Sequence, residues 1–318
     1  MNATIPKSPP SGKALLDLVS TMLDRGDAAR GLHLLYEGLG ALREQMGPEE
    51  WERFAQSTVP THPLCARIHE DPACRHSFEK PRGYPGDAEL IDHLYGLRDA
   101  AGASDLGQTV NAWAMGRSPV RGVRYRREWL AHVIDDVARQ RRGEARVLSV
   151  ACGHLREAAL STALRCGWLE ELVALDSDQV SLDEAVAVDP AIVTPVKMSV
   201  ARLPNRAGRL GTFDLVYSAG LYDYLDERLA RALTTALFGV LRPGGRLVVG
   251  NFLTGVADSA YMETFMGWSL NYRTQQEIEA LTEGAPEDSV AFRRFHRDPF
   301  GVFGYVEVGR VEEPEPAP

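Results

Sequence analysis

Residues 146–161 read RVLSVACGHLREAALS, and the fold turns on how that stretch is understood. An apolar run, Val147-Leu148-Ser149-Val150, breaks at Ala151-Cys152-Gly153 and resumes with helical spacing from about Arg156. A short apolar run, a glycine turn and a helix form the opening of a strand–turn–helix unit. Downstream, ELVAL, IVTPVKM, FDLVYSA and RLVVGNF repeat the strand pattern, with helical segments between most of them. Strands alternating with helices imply a parallel sheet covered on both faces. The longest intervening helix, DERLARALTTALFGVL, is expected to stop sharply at Arg242-Pro243-Gly244-Gly245. VAFRRFH and VFGYVEVG then follow with no helix between them and read as an antiparallel hairpin at one sheet edge.

Upstream the pattern is helical. Leu15, Leu16, Val19, Met22 and Leu23 fall on one helix face, and Leu32, Leu35, Leu39 and Leu42 on another. GPEEWERFAQ carries a proline and two glutamates where a helix begins, and STVPTHP breaks it. Asp87 is placed to cap a helix over 88–95, and RDAAGASDLGQ reads as a linker or mobile loop. The helix RYRREWLAHVIDDVARQ leads into the sheet. The expected organisation is an N-terminal helical cap or lid domain over 1–110, a Rossmann-like α/β domain over 111–310, and a disordered acidic, proline-rich tail over 311–318.

A chain of 318 residues with 44% hydrophobic and 25% charged residues has the composition of a globular protein. Its net charge of −9 argues against a nucleic-acid partner. Arg124, Arg126 and Arg127 form a local basic cluster, read as a solvated helix face. The four cysteines show no disulfide-dense or C-x-x-C pattern, no apolar run approaches membrane-spanning length, and the first residues lack a signal peptide's apolar core. Together these set a cytoplasmic expectation, with a small-molecule substrate and no membrane partner. The sequence leaves the oligomeric state open.

In a doubly wound sheet, ligands bind beyond the carboxyl ends of the strands. After the first strand come Ala151-Cys152-Gly153-His154, where Gly153 lets a ligand approach the backbone and the following helix N-terminus offers N–H donors. After the second comes Asp176, an acid about 20 residues on, suited to accept hydrogen bonds from both ribose hydroxyls.

With FDLVYSAG and LRPGGRLVVGNF in order behind them, these residues resemble the class I S-adenosylmethionine (SAM)-dependent methyltransferases over roughly residues 121–310. That family's first loop is usually E/D-x-G-x-G-x-G and cups the methionine portion of SAM. Here Ser149 stands at the acid position, Ala151 at the first glycine, Gly153 at the second and Leu155 at the third. The resemblance implies SAM as cofactor, with Ser149, Ala151, Cys152 and Gly153 on its methionine side and Asp176 on the ribose. It also implies Ser199, with Met198 and Val200, near the adenine, and Ser218, Ala219 and Gly220 lining the cofactor. KPRGYPGDAELIDHLYG, YSAGLYDYL and WSLNYRT are similar to a bacterial subgroup with a helical N-terminal extension, described by 3-hydroxypalmitate methyl ester biosynthesis.

Within KPRGYPGD, Arg82 suits the methionine carboxylate and Tyr84 the sulfonium cation, against the plainer reading of a turn that launches a helix. Tyr222 and Asp223 stand beside the expected transfer site as catalytic candidates, with His154 as a base or cofactor contact. The competing roles are core packing for a tyrosine and helix capping by Asp223 or Asp226. Asn251 and Tyr272 are the substrate-binding candidates, though an amphipathic helix end explains residues 268–273 almost as well. No metal site is expected, since His69 and His76 match no ligand spacing.

The functional expectation is a SAM-dependent transferase, methyl transfer first, acting on a carboxylate, hydroxyl or amine of a small biosynthetic intermediate. Two alternatives stand beside it. One is attack at the γ-carbon of the methionine chain, giving 3-amino-3-carboxypropyl transfer or closure to an azetidine ring with release of methylthioadenosine. The other is a SAM-binding or silent scaffold that acts as an interaction module. An NAD-dependent oxidoreductase fits less well, because the missing glycines would crowd a pyrophosphate.

Overall fold

The computed structural model describes residues 11–312. The expected tail from 313 onward, and the chain start through residue 10, lie outside the described residues. The chain divides into two compact units. One runs to Val123 and also takes in Gly255–Ser269; the other is Arg124–Thr254 and the chain from Leu270.

In the helical unit, Gly12–Asp24 and Ala28–Gln45 form on the expected stripes and bury Leu15, Leu16, Val19, Leu32, Leu35 and Leu39. The helix from Pro48 does break within 57–63 as the sequence suggests, at extended His62, but it runs further into that stretch than its composition implies. It widens over Phe54–Thr58, where the Val59 N–H reaches back five residues to the Phe54 carbonyl, and winds on through Thr61. Pro60 directly follows this widened turn, where the regular four-residue ladder is already interrupted. The expected linker is also shorter than its composition suggests. Ser104 caps the Gly107 N–H and starts a helix over Asp105–Met115. Asp87 does cap Ala88–Leu94, through the Leu90 N–H. The core is completed by Ser259–Phe265, which contributes Ala260, Tyr261 and Phe265. Glu263 there receives the Arg43 guanidinium at 2.8 and 2.9 Å and the Trp51 indole N–H at 2.6 Å.

The second unit is built on one sheet: β1 (Arg146–Val150), β2 (Glu171–Asp176), β3 (Val193–Lys197), β4 (Phe213–Ser218), β5 (Leu241–Phe252), β6 (Val290–Arg297) and β7 (Phe303–Arg310). Its order is β3-β2-β1-β4-β5-β7-β6. The first five strands are parallel, and β7 runs antiparallel to both β5 and β6. This is the Rossmann-like, doubly wound, mostly parallel sheet with an antiparallel C-terminal hairpin that the sequence implies. Leu130, Ile134 and Val137 of the helix Ser118–Gln140 cover one face, and Leu233, Leu237 and Phe238 of Glu227–Gly239 cover the other.

Two local expectations fail for physical reasons. Residues 242–245 do not lie outside the sheet but open β5. Leu241 pairs with Phe213 and Arg246 with Leu215, so Pro243-Gly244-Gly245 bulges between paired ends. A proline costs little at a bulge, where no ladder N–H is required. A Cβ on Gly245 would come 2.8 Å from the Arg242 carbonyl oxygen and 2.9 Å from that of Phe213, so glycine is demanded there. The helix expected from Arg156 reduces to a tight turn over Ala158–Leu160 and a single α-turn, Thr162–Arg165. Among the described residues no helix is long and apolar enough to cross a membrane.

Candidate functional site

β1 pairs with β2 on one side and β4 on the other, so the connections leaving β1 and β4 depart in opposite directions. The crevice outside their carboxyl ends is the switch point, where doubly wound sheets bind ligands. The backbone of the first loop is unusual. Ala151, Gly153 and Leu155 all have φ of +53°, the left-handed region. These are the positions that the resemblance assigns to three glycines; two carry side chains, yet the conformation is kept. Holding a non-glycine residue there costs about 1–2 kcal/mol, which the surrounding bonds offset. The Cys152 N–H donates to the Leu175 carbonyl at 3.1 Å and the Leu155 N–H to that of Cys152 at 3.0 Å. Leu155 itself is buried.

Asp176 ends β2 at 8% exposure. One carboxylate oxygen accepts the Gly153 N–H at 3.0 Å and the other the Asp178 N–H at 3.0 Å. A carboxylate offers about four acceptor positions, so both oxygens can still receive hydroxyls. The Met198 N–H donates to the Asp176 carbonyl at 2.9 Å, which brings exposed Ser199 to the end of β3. Ser218 is buried and donates to the Val150 carbonyl at 3.0 Å, fastening the end of β4 to that of β1. Ala219 and exposed Gly220 follow. Ser149, Ala151, Cys152, Gly153, Asp176, Ser199, Ser218, Ala219 and Gly220 therefore gather around one sheet end. Cys152 is buried and its thiol is pushed up by burial, so it is present as thiol. Buried His154 has its Nδ1 3.4 Å from Arg156.

The expected helix N-terminus is not available to an anion. The Asp135 carboxylate takes the Thr162 and Ala163 N–H groups at 3.2 and 2.9 Å, and the Ser161 hydroxyl takes that of Leu164 at 3.2 Å.

On the acceptor side, the two neighbours Tyr222 and Asp223 part company. Tyr222 is fully buried with its hydroxyl 3.0 Å from that of Thr234, so it packs under the helix Glu227–Gly239. Asp223 accepts the Phe252 N–H at 2.5 Å, and its carbonyl takes the Asn271 N–H at 2.7 Å. Burial raises its pKa to about 6, against the opposing pull of that N–H, Arg126 and Arg273. Buried Asn251 donates to the Asn271 carbonyl at 2.9 Å and accepts from Arg273. Residues 268–273 form no helix; an extended stretch brings Arg273 inward, where it donates to the carbonyls of Tyr222 and Leu225 at 2.7 Å each. Half-buried Tyr272 meets Phe252 edge-on at 6.2 Å and lines an open depression of about 400 Å³ with Leu225, Asp226, Asn271 and Glu277. Asp226 caps its helix. Arg82 and Tyr84 belong to the helical unit, on the turn before Ala88, with Arg82 3.7 Å from Glu89.

Two residues that the sequence does not place here, Glu157 and Arg126, also sit at this sheet end, beside Tyr217 of the segment expected to line the cofactor. Glu157 is 7% exposed and accepts the Tyr217 hydroxyl at 2.7 Å. Tyr217 pairs in register with Ser149. Arg126 does not lie on a solvated face: it is 5% exposed, donates to the Ala219 carbonyl at 2.6 Å and stacks 5.0 Å over Phe303. Its place three residues after Val123 within an apolar stripe was the available signal, masked by neighbouring arginines.

No family model and no curated protein matches the chain. Solved structures do. A possible exported protein from Bordetella parapertussis is 19% identical, with 98% of this chain and 100% of that chain covered at a TM-score of 0.60. Magnesium protoporphyrin IX methyltransferase from Synechocystis, with bound S-adenosylhomocysteine, is 14% identical over 60% of this chain and 86% of its own, at 0.45. Human N-acetylserotonin methyltransferase in complex with SAM is 14% identical over 82% and 69%, at 0.44. The first of these likenesses extends the fold over nearly the whole chain.

Proposed function

We propose that the chain binds SAM at the switch point and transfers its methyl group to a small-molecule acceptor beside Asp223. One observation carries the reading: Asp176 ends β2 with its carboxylate held against the Gly153 N–H, leaving acceptor capacity on both oxygens for a ribose diol. The donor set fits a nucleoside with an amino-acid tail. It suits a dinucleotide less well, because Asp135 and Ser161 already occupy the N–H groups a pyrophosphate would use.

When bound, SAM supplies a methyl carbon already activated by its sulfonium, so the chain's task is alignment. Asp176 fixes the ribose, residues 198–200 flank the base, and 218–220 set the floor between cofactor and acceptor. Asp223, with its pKa near 6, accepts the proton of a hydroxyl or amine acceptor at neutral pH. A biosynthetic intermediate as acceptor and a cytoplasmic setting extend the same proposal, as does kinship with the 3-hydroxypalmitate-type subgroup.

A second reading has its own observation. The left-handed Ala151 and Leu155 store strain where the methionine chain would lie, and strain of this kind concentrates at functional sites. A tail held in another pose would expose the γ-carbon to attack. Incubation with SAM decides between them: S-adenosylhomocysteine as product supports methyl transfer, and methylthioadenosine supports the second reading. Absence of any SAM-induced thermal shift would sink both. Asp176→Ala should weaken SAM binding about 10–100-fold by calorimetry, as expected when hydrogen bonds to a charged acceptor are lost.

A further inference from the structure

The position at which the resemblance places an acid holds Ser149, and the structure supplies an acid from elsewhere. Ser149 and Tyr217 are register partners on β1 and β4, with side chains on the same sheet face. The Tyr217 hydroxyl donates to Glu157 Oε1 at 2.7 Å. Glu157 reaches that place because the chain turns at left-handed Leu155 and tightens at once, the Ala158 N–H donating to the Leu155 carbonyl at 3.2 Å. A carboxylate eight positions further along thus meets the register partner of the serine that replaces the expected one.

Keeping a carboxylate at 7% exposure is costly unless a cation or hydrogen bonds compensate. Burial pushes the Glu157 carboxyl above its ordinary value, and the Tyr217 bond and the charges of Arg126 and Arg127 pull the other way. Packing alone would be served as well by glutamine, which keeps the tyrosine bond without the charge. A buried carboxyl at the methionine end of a SAM site has a natural counterpart in the ammonium of the amino-acid tail, whose charge favours the ionised carboxylate.

We infer that Glu157, positioned by Tyr217, receives the α-ammonium group of the bound ligand and so selects for an amino-acid tail. The inference rests on the SAM reading proposed above. Arg126 acts through Glu157: clamped to the Ala219 carbonyl, it keeps a positive charge near the carboxylate.

Calorimetry with three probes tests this: S-adenosylhomocysteine, its deaminated analogue, and 5′-methylthioadenosine, which has no tail. On the unaltered protein the deaminated analogue should bind at least about tenfold more weakly than S-adenosylhomocysteine. In Glu157→Gln that gap should collapse while 5′-methylthioadenosine affinity stays within about twofold. Equal affinity of the unaltered protein for the first two probes, or a gap that survives in Glu157→Gln, overturns the inference with SAM binding intact. If none of the three binds, the SAM reading falls and the inference with it. If the variant fails to hold 5′-methylthioadenosine, it has lost its fold, and the comparison on the unaltered protein decides alone.

Discussion

Ala151 pays a backbone penalty without the flexibility of the glycine expected in its place. Its φ of +53° is one that glycine adopts freely. Ala151→Gly should therefore raise stability by up to about 1 kcal/mol in urea unfolding, less what the freer unfolded chain takes back. If the loop's strain serves the second chemistry, the same variant should shift the ratio of products. Asp223 makes a separate residue-scale prediction. Its folded pKa, about 6, lies above its ordinary value of 3.8. Between those values the folded chain binds more protons than the unfolded one, so this residue's contribution to stability falls as pH rises through that window. Asp223→Asn should flatten that segment of the stability profile. Under the proposed methyl transfer with Asp223 as base, the transfer rate should climb through about pH 6, and Asp223→Asn should lower it at pH 7 by about 10²-fold or more.

Elements carry their own lesson. The bulge that opens β5 leaves no room for a side chain at Gly245, because the nearest atoms are backbone carbonyl oxygens, which cannot swing aside. Gly245→Ala should cost about 1–3 kcal/mol, read as a lower denaturant midpoint. Strand and helix identities were legible in the sequence because period and apolar runs encode them locally: Val147, Leu172, Leu215 and Leu247 all sit in the expected strands. The failures share a cause. Whether Pro243 and Gly244 end a helix or open a strand depends on the pairing of Leu241 with Phe213, a partner far upstream in the chain. Whether Thr162 presents a free N–H depends on Asp135, from a different helix. At the site, Asp176 and Gly153 announce themselves by spacing. Glu157 and Arg126 do not, because only the sheet register of Ser149 with Tyr217, and the burial of one helix face, gives them meaning.

At the scale of the whole chain, neither unit is a continuous segment. The helical core needs Ala260, Tyr261 and Phe265 as much as it needs Leu35 or Leu39. A fragment ending at Val123 would expose the surface these residues cover and leave the Trp51 indole and Arg43 without Glu263. It should show weak, non-cooperative unfolding by circular dichroism, and joining residues 255–269 to it should restore a cooperative transition. Both ends of that excursion are held in the sheet unit: Leu253 bridges to Arg273, and the Thr254 N–H donates to the Arg273 carbonyl at 3.1 Å.

This layout sets an order in time. A ribosome releases the chain from its N-terminus, so the leucine stripes of the first helices emerge long before the segment that seals them. At about 5–20 residues per second the wait is on the order of ten seconds. Throughout it the apolar faces of Leu15, Leu35 and Leu39 lack Ala260, Tyr261 and Phe265, the residues that complete their core.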